Sequence, residues 1–222
     1  MEGHWAENIE NAQLGEHEAS YSQYGEDLIA DYIFNKIGTT NNFLVDIGAG
    51  GAGRNLSNSH FFLIRGWDGL CFDMDGTEGT IKEFIKPDNI VVLLKKHKCP
   101  TDYDFLSLDI DSFDYDVLES ILKHYTPRLI CVEFNGTLDP LLKVKLKYED
   151  GYTWDGTNKY GFSLGAGIDL LQKSGYRAVL NHKETNIFAV RADLLPDGFV
   201  KKVNGIKTMY HRFNPNAEWV KI

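Results

Sequence analysis

Two stretches of this 222-residue chain carry most of its chemistry. The first is Ser107-Leu108-Asp109-Ile110-Asp111-Ser112-Phe113-Asp114, at the end of an apolar run. Alternate residues of a strand share a face, so Asp109 and Asp111 point the same way if the strand extends that far. Glu133 and Asn135 close a second apolar run with the same spacing. Side-chain oxygens of this kind either bind a hard divalent cation or act as general bases. Asp109 and Asp111 are the candidate bases. Asp114 is placed to cap the helix that follows. His182, in a late polar turn, is a third candidate base, although a turn histidine is more often simply solvated.

The second stretch is Gly48-Ala49-Gly50-Gly51-Ala52-Gly53, which follows the run Phe43–Ile47. Gly48, Gly50 and Gly53 satisfy GxGxxG, a weak motif alone, which brings backbone close to a ligand at a helix N-terminus. A dinucleotide would lay its pyrophosphate there, where Asp46 just before the loop opposes the charge. S-adenosylmethionine (SAM) carries an ammonium and a sulfonium instead, and Asp46 attracts both. Asp73, at the end of the next apolar run, is placed to accept from ribose hydroxyls, with Asp75 as the fallback. The balance favours SAM.

These residues need a scaffold. Residues 23–37 carry an apolar helical stripe with an acidic first turn and stop at Gly38. Phe43–Ile47, Leu70–Asp73, Phe105–Ile110 and Leu129–Phe134 read as strands buried on both faces. Helices are expected over Phe61–Ile64, Tyr115–His124 and Ile168–Lys173. Within 76–98, a strand over Ile81–Ile85 is possible, and Ile90, Leu93, Leu94 and His97 favour a helix. Tyr176–Leu180 and Ile187–Val190 read as a hairpin. The alternation gives an α/β fold with a mostly parallel sheet and a terminal antiparallel hairpin. Residues 136–162, rich in glycine, lysine and aromatics, form a connection long enough to be a lid or substrate loop.

Composition narrows the function. There are 23 Lys and Arg against 32 Asp and Glu, a net charge of −9 that disfavours a nucleic-acid backbone as partner. With 43% hydrophobic residues the chain can bury a core. No apolar run is long enough to cross a membrane. Cys71, Cys99 and Cys131 lack metal-ligand spacing and read as reduced thiols, which with the absence of a signal peptide suggests a cytoplasmic protein.

Ser22-Gln23-Tyr24-Gly25-Glu26-Asp27, Val45-Asp46-Ile47-Gly48-Ala49, Asn55-Leu56-Ser57-Asn58-Ser59 and Gly66-Trp67-Asp68-Gly69-Leu70 resemble FkbM-type methyltransferases. The resemblance covers roughly residues 21–135. It implies a Rossmann-like class I methyltransferase fold with seven strands, the last antiparallel. It also implies SAM held by Asp46, Gly48, Gly50, Gly53, Asn58, Asp73 or Asp75, and Asp109. In such a sheet the strands ending at Asp109 and Glu133 are neighbours, so Asp109, Asp111, Glu133 and Asn135 would converge. That grouping resembles the metal site of catechol O-methyltransferase-like enzymes, with Asp109, Glu133 and Asn135 as first-choice ligands for Mg²⁺ or Mn²⁺ and Asp111 next. A metal-free acid cluster is the competing reading.

The implied activity is O-methylation of a small hydroxylated molecule such as a sugar, by one domain over 21–199. Residues 1–20 are expected to be a loose arm and 200–222, with Tyr210, Phe213 and Trp219, an extension packed on the domain. The spacing of 36 positions from Asp73 to Asp109 looks short for a third strand and its helices. That shortage supports the alternative of a non-catalytic interaction protein. A nicotinamide-dependent oxidoreductase is the third reading. Oligomeric state and acceptor identity are not encoded in any motif.

Overall fold

The computed structural model describes Ile9 and residues 20–50, 56–77, 79–197 and 216–222. After α1 (Glu26–Ile37) the chain runs β1 (Phe43–Ile47), α2 (His60–Leu63), β2 (Asp68–Asp73), β3 (Ile81–Lys82), α3 (Ile90–Lys96) and β4 (Phe105–Leu108). It continues through α4 (Asp114–Leu122), β5 (Leu129–Glu133), β6 (Val144–Leu146), α5 (Leu164–Lys173), β7 (Tyr176–His182), β8 (Asn186–Arg191) and β9 (Trp219–Lys221). Seven strands make one sheet in the order β3-β2-β1-β4-β5-β8-β7. The first five are parallel, and β8 lies antiparallel between β5 and β7. This is the Rossmann-like α/β sheet with a terminal antiparallel hairpin that the sequence predicts.

Both faces of the sheet are covered, which is why its strands read as unbroken apolar runs. Val45, Leu106, Ile130 and Ile187 pack on one side with Leu94, Val117, Leu118 and Leu171 from α3, α4 and α5. Leu44, Phe105, Leu129 and Phe188 pack on the other with Ile29, Ile33, Phe61 and Phe62 from α1 and α2. Ile9, within the stretch expected to be a loose arm, is buried in this second layer. The remainder of residues 1–19 lies outside the described residues, as do Gly53, Tyr210 and Phe213.

Three expectations need correction. Segment 76–98 is not too short: it holds a two-residue third strand and α3, because only one helix separates β3 from β4. β4 stops at Leu108, so strand alternation does not orient Asp111, whose backbone has φ 53. Asp114 does not cap α4; its carboxylate turns back to accept from the Ile110 and Ser112 N–H groups at 2.9 and 3.1 Å. The 136–162 connection is itself structured. β6 pairs with β9, so the described part of the C-terminal extension packs on the insertion.

Asp104 fixes the entry to β1. It is fully buried, and its carboxylate accepts from Thr40 N and Oγ1, Asn41 N and Asn42 N at 2.7–3.0 Å. The Arg128 guanidinium lies 3.4 Å away. Asp104→Asn turns two donors toward these donors and is expected to cost about 2–4 kcal/mol of stability, measured by urea unfolding.

Candidate functional site

The chemistry sits where β1, β2, β4 and β5 end. Two rows of polar residues climb to that edge on the α1 side of the sheet. In the lower row Cys71, Asp46, Ser107 and Cys131 are cross-strand neighbours. Asp46 is buried there, with Ser57 Oγ 3.3 Å from its carboxylate and Ser59 and Ser107 also bonded to it. Burial raises its pKa, against the opposing effect of these hydroxyls. Asn58 donates to Ser107 Oγ at 3.1 Å. Asp46 and Asn58 therefore brace the sheet beneath the glycine loop, and among the described residues neither lines the cleft above.

The upper row is the site. The Gly48 and Ala49 N–H groups donate to Phe72 O, and Asp109 N donates to Ile47 O at 2.9 Å, which clamps the loop between β2 and the end of β4. Gly48 has φ 81, and a Cβ there would lie 1.6 Å from the Asp109 carbonyl oxygen. Only glycine can occupy this position. Gly48, Gly50 and Asp73 line a cavity of about 470 Å³ with Asp109, Ile110 and Asp111. Its far wall is Glu83, Phe84 and Ile85, from the segment after β3. Tyr152, Thr153 and Trp154, from the insertion, complete the lining.

The lining thus includes four carboxylates, Asp73, Glu83, Asp109 and Asp111, and no Lys, Arg or His among the described residues. Asp75, the fallback to Asp73, is exposed and its N–H donates to Asp73 Oδ1 at 2.8 Å.

Asp109, Asp111 and Glu133 converge, with carboxylate oxygens within 4.8 Å of one another. The turn at Asp111, held by Asp114, achieves what a longer strand would not. Burial raises the pKa values of Asp109 and Glu133, and the charges of Asp111 and Asp114 raise them further. The two carboxyls are hydrogen-bonded to each other, which two acids can do only with a proton between them. Glu133 Oε2 is buried with no hydrogen-bond partner. Asp114 is lifted to about 7 by burial, against its two backbone donors.

Asn135 does not serve as expected. Thr137 N and Oγ1 both donate to its Oδ1, and its Nδ2 donates to Asn158 O and Tyr160 O at 3.0 and 2.8 Å. With both lone pairs engaged it braces the insertion, and Asp111 completes the triad instead. His182 also departs from expectation: its Nε2 sits 2.9 Å from Tyr24 O, on the β7–β8 hairpin and outside the cleft lining. The loop aromatics divide, since Tyr152 and Trp154 line the cavity while Tyr148 packs on Phe113 at 4.7 Å and Tyr160 is buried. Met74 and Phe84, which the sequence reading missed, betray themselves as exposed apolar side chains at strand ends.

No family model matches the chain, and no curated protein matches it. Among solved structures, the CMeT domain of the citrinin polyketide synthase is similar to 75% of this chain, at 10% identity and a TM-score of 0.39. The match covers 51% of that domain, so the chain spans about half its length. The description of the fold accordingly rests on the strand order itself.

The acid cluster predicts a pH dependence. Asp46, Asp109, Asp114 and Glu133 titrate higher in the fold than in the unfolded chain, so the folded state binds more protons. Their contribution is full below about pH 4 and is lost as pH rises through the folded values. The melting temperature in metal-free buffer should therefore fall between about pH 5 and pH 8. Asp109→Asn should flatten the profile and Asp75→Asn, at an exposed acid, should not. Parallel profiles for the two variants would contradict this.

Proposed function

We propose that the chain is a SAM-dependent methyltransferase of the FkbM type, acting on a hydroxyl of a small molecule such as a sugar, in the cytoplasm. The observation that carries the reading is the 470 Å³ cavity at the ends of parallel strands, floored by a glycine loop and lined with acids and no described cation. A pyrophosphate would meet that lining with like charge, whereas a sulfonium meets opposite charge. This favours SAM over a dinucleotide, and sheet ends of this kind are where open α/β folds take their ligands. That Glu83, Phe84 and Ile85 line the same cavity favours the enzyme reading over a degraded, non-catalytic site.

When bound, SAM supplies an electrophilic methyl group on its sulfonium. Gly48 and Gly50 leave room for its methionine end, and Asp73 is the acceptor for ribose hydroxyls. Met74, Phe84, Ile85 and Ile110 offer apolar surface to the adenine. Asp109, whose basicity burial and the charges of Asp111 and Asp114 raise above that of an ordinary carboxylate, is the group that takes the proton of the acceptor hydroxyl. Tyr152 and Trp154 line the cavity from the insertion and offer aromatic surface to the acceptor.

The convergence of Asp109, Asp111 and Glu133 favours a second reading of the same step. A Mg²⁺ or Mn²⁺ held by these three would displace the shared proton and lower the pKa of the acceptor hydroxyl. Three carboxylates suit such hard cations.

Calorimetry with S-adenosylhomocysteine tests the cofactor. The wild-type protein should bind it, and Asp73→Ala should weaken binding about tenfold, the loss of one or two hydrogen bonds to a charged group. No binding to the wild type removes the enzyme reading. Addition of Mn²⁺ at pH 8 should raise the melting temperature of the wild type and not of Asp109→Asn, and an unchanged wild type removes the metal.

A further inference from the structure

The insertion lines the same cavity as Gly48 and Gly50, the cavity assigned above to the cofactor. Its lining residues, Tyr152, Thr153 and Trp154, are flanked by Gly151 at φ 76 and Gly156 at φ 77. A Cβ at either glycine would meet nothing within 4 Å, so neither glycine is there for lack of space. Both hold a left-handed backbone that glycine adopts freely, and glycine also absorbs a change of φ and ψ with little steric cost.

The base of the insertion is pinned. Leu146 N donates to Gly161 O, Ser163 N to Val144 O, and Asn135 Nδ2 to Asn158 O and Tyr160 O. Toward the tip, Tyr152 Oη donates to Lys159 O at 2.6 Å and Trp154 Nε1 donates to Thr157 O at 2.8 Å, and one ion pair reaches across to a different segment. Asp150 Oδ1 lies 3.2 Å from Lys86 Nζ, and Lys86 follows directly after the wall residues Glu83, Phe84 and Ile85. The ion pair thus joins the insertion, two residues before the lining residue Tyr152, to the segment that directly follows the lining residue Ile85. Tyr148 Oη donates to the same Asp150 oxygen at 3.2 Å. The two side chains are 31% and 70% exposed, so the pair is weak and screened by salt.

We propose that residues 150–156 are a gate over the cofactor cavity, latched by the Lys86–Asp150 pair, and that its opening sets the rate of cofactor exchange. The proposal rests on the methyltransferase reading. Opening releases the ion pair together with the Tyr152 and Trp154 hydrogen bonds to Lys159 and Thr157, with the two glycines taking up the backbone change. A latch of this strength breaks and re-forms readily, so it slows exchange without stopping it. Neither latch residue lines the cavity, so its loss changes access and leaves the lining intact.

Stopped-flow dissociation of S-adenosylhomocysteine, chased by excess SAM, tests this on the full chain. Asp150→Asn and Lys86→Met should each raise the dissociation rate about two- to fivefold at low salt, the scale of an exposed pair. The association rate should rise with it, so that affinity changes less than either rate. The wild-type rate should climb between about 20 and about 500 mM salt while the variants' rates stay flat. The exchanged pair, Lys86→Asp with Asp150→Lys, should restore slow exchange. Identical rates in wild type and single variants, or a wild-type rate indifferent to salt, overturn the gate. Absence of any binding to the wild type overturns the cofactor reading beneath it instead.

Discussion

Four carboxylates at the edge of one sheet cannot all be charged in a partly desolvated pocket. Asp109, Asp111, Asp114 and Glu133 share that space, and the protein answers with a shared proton, two backbone donors and an open cavity. The surrounding design follows from this concentration of charge. The Gly48 backbone must pass against Asp109, so no side chain is tolerated there. The turn at 109–114 must be tight enough to bring Asp111 back to Asp109 and Glu133, and Asp114 is spent on holding it. Sheet, turn and loop are one device for presenting negative potential to whatever enters.

The layer beneath has the same character in a quieter form. Asp46 is enclosed by three serine hydroxyls in a row that also holds two cysteines. Hydroxyls satisfy a buried carboxylate without bringing in a countercharge, which leaves the field of Asp46 available to the row above. Its influence on the cleft is electrostatic and not by contact.

Much of this was legible in the sequence, for identifiable reasons. Phe43–Ile47, Phe105–Leu108 and Leu129–Glu133 announce themselves because strands covered on both faces have no polar alternation to confuse the reading. The glycine loop and the acids at 109, 111 and 133 were found by residue type. What failed was anything requiring knowledge of where a strand stops. Asp111 joins the triad through a left-handed turn that alternation cannot foresee, and Asn135 is lost to it because its partners, Thr137, Asn158 and Tyr160, lie on a loop whose path no periodicity encodes. His182 is captured by a backbone carbonyl from the chain's other end. Two-residue β3 was ambiguous because so short an element leaves no pattern. Phe84 and Met74 carried a signal, apolar side chains left in water, that becomes visible only once neighbours are known.

The φ of 53 at Asp111 has a bearing on how such a chain diverges. Few side chains settle in that conformation at low cost, and asparagine, aspartate and glycine are the chief ones. A lineage that discards the negative charge at this corner has two economical exits, both of which keep the bend and hence the scaffold. Loss of the acid triad and loss of architecture are therefore separable here: descendants could retain every strand while abandoning the cluster, and a single letter at this corner would mark which of them had done so.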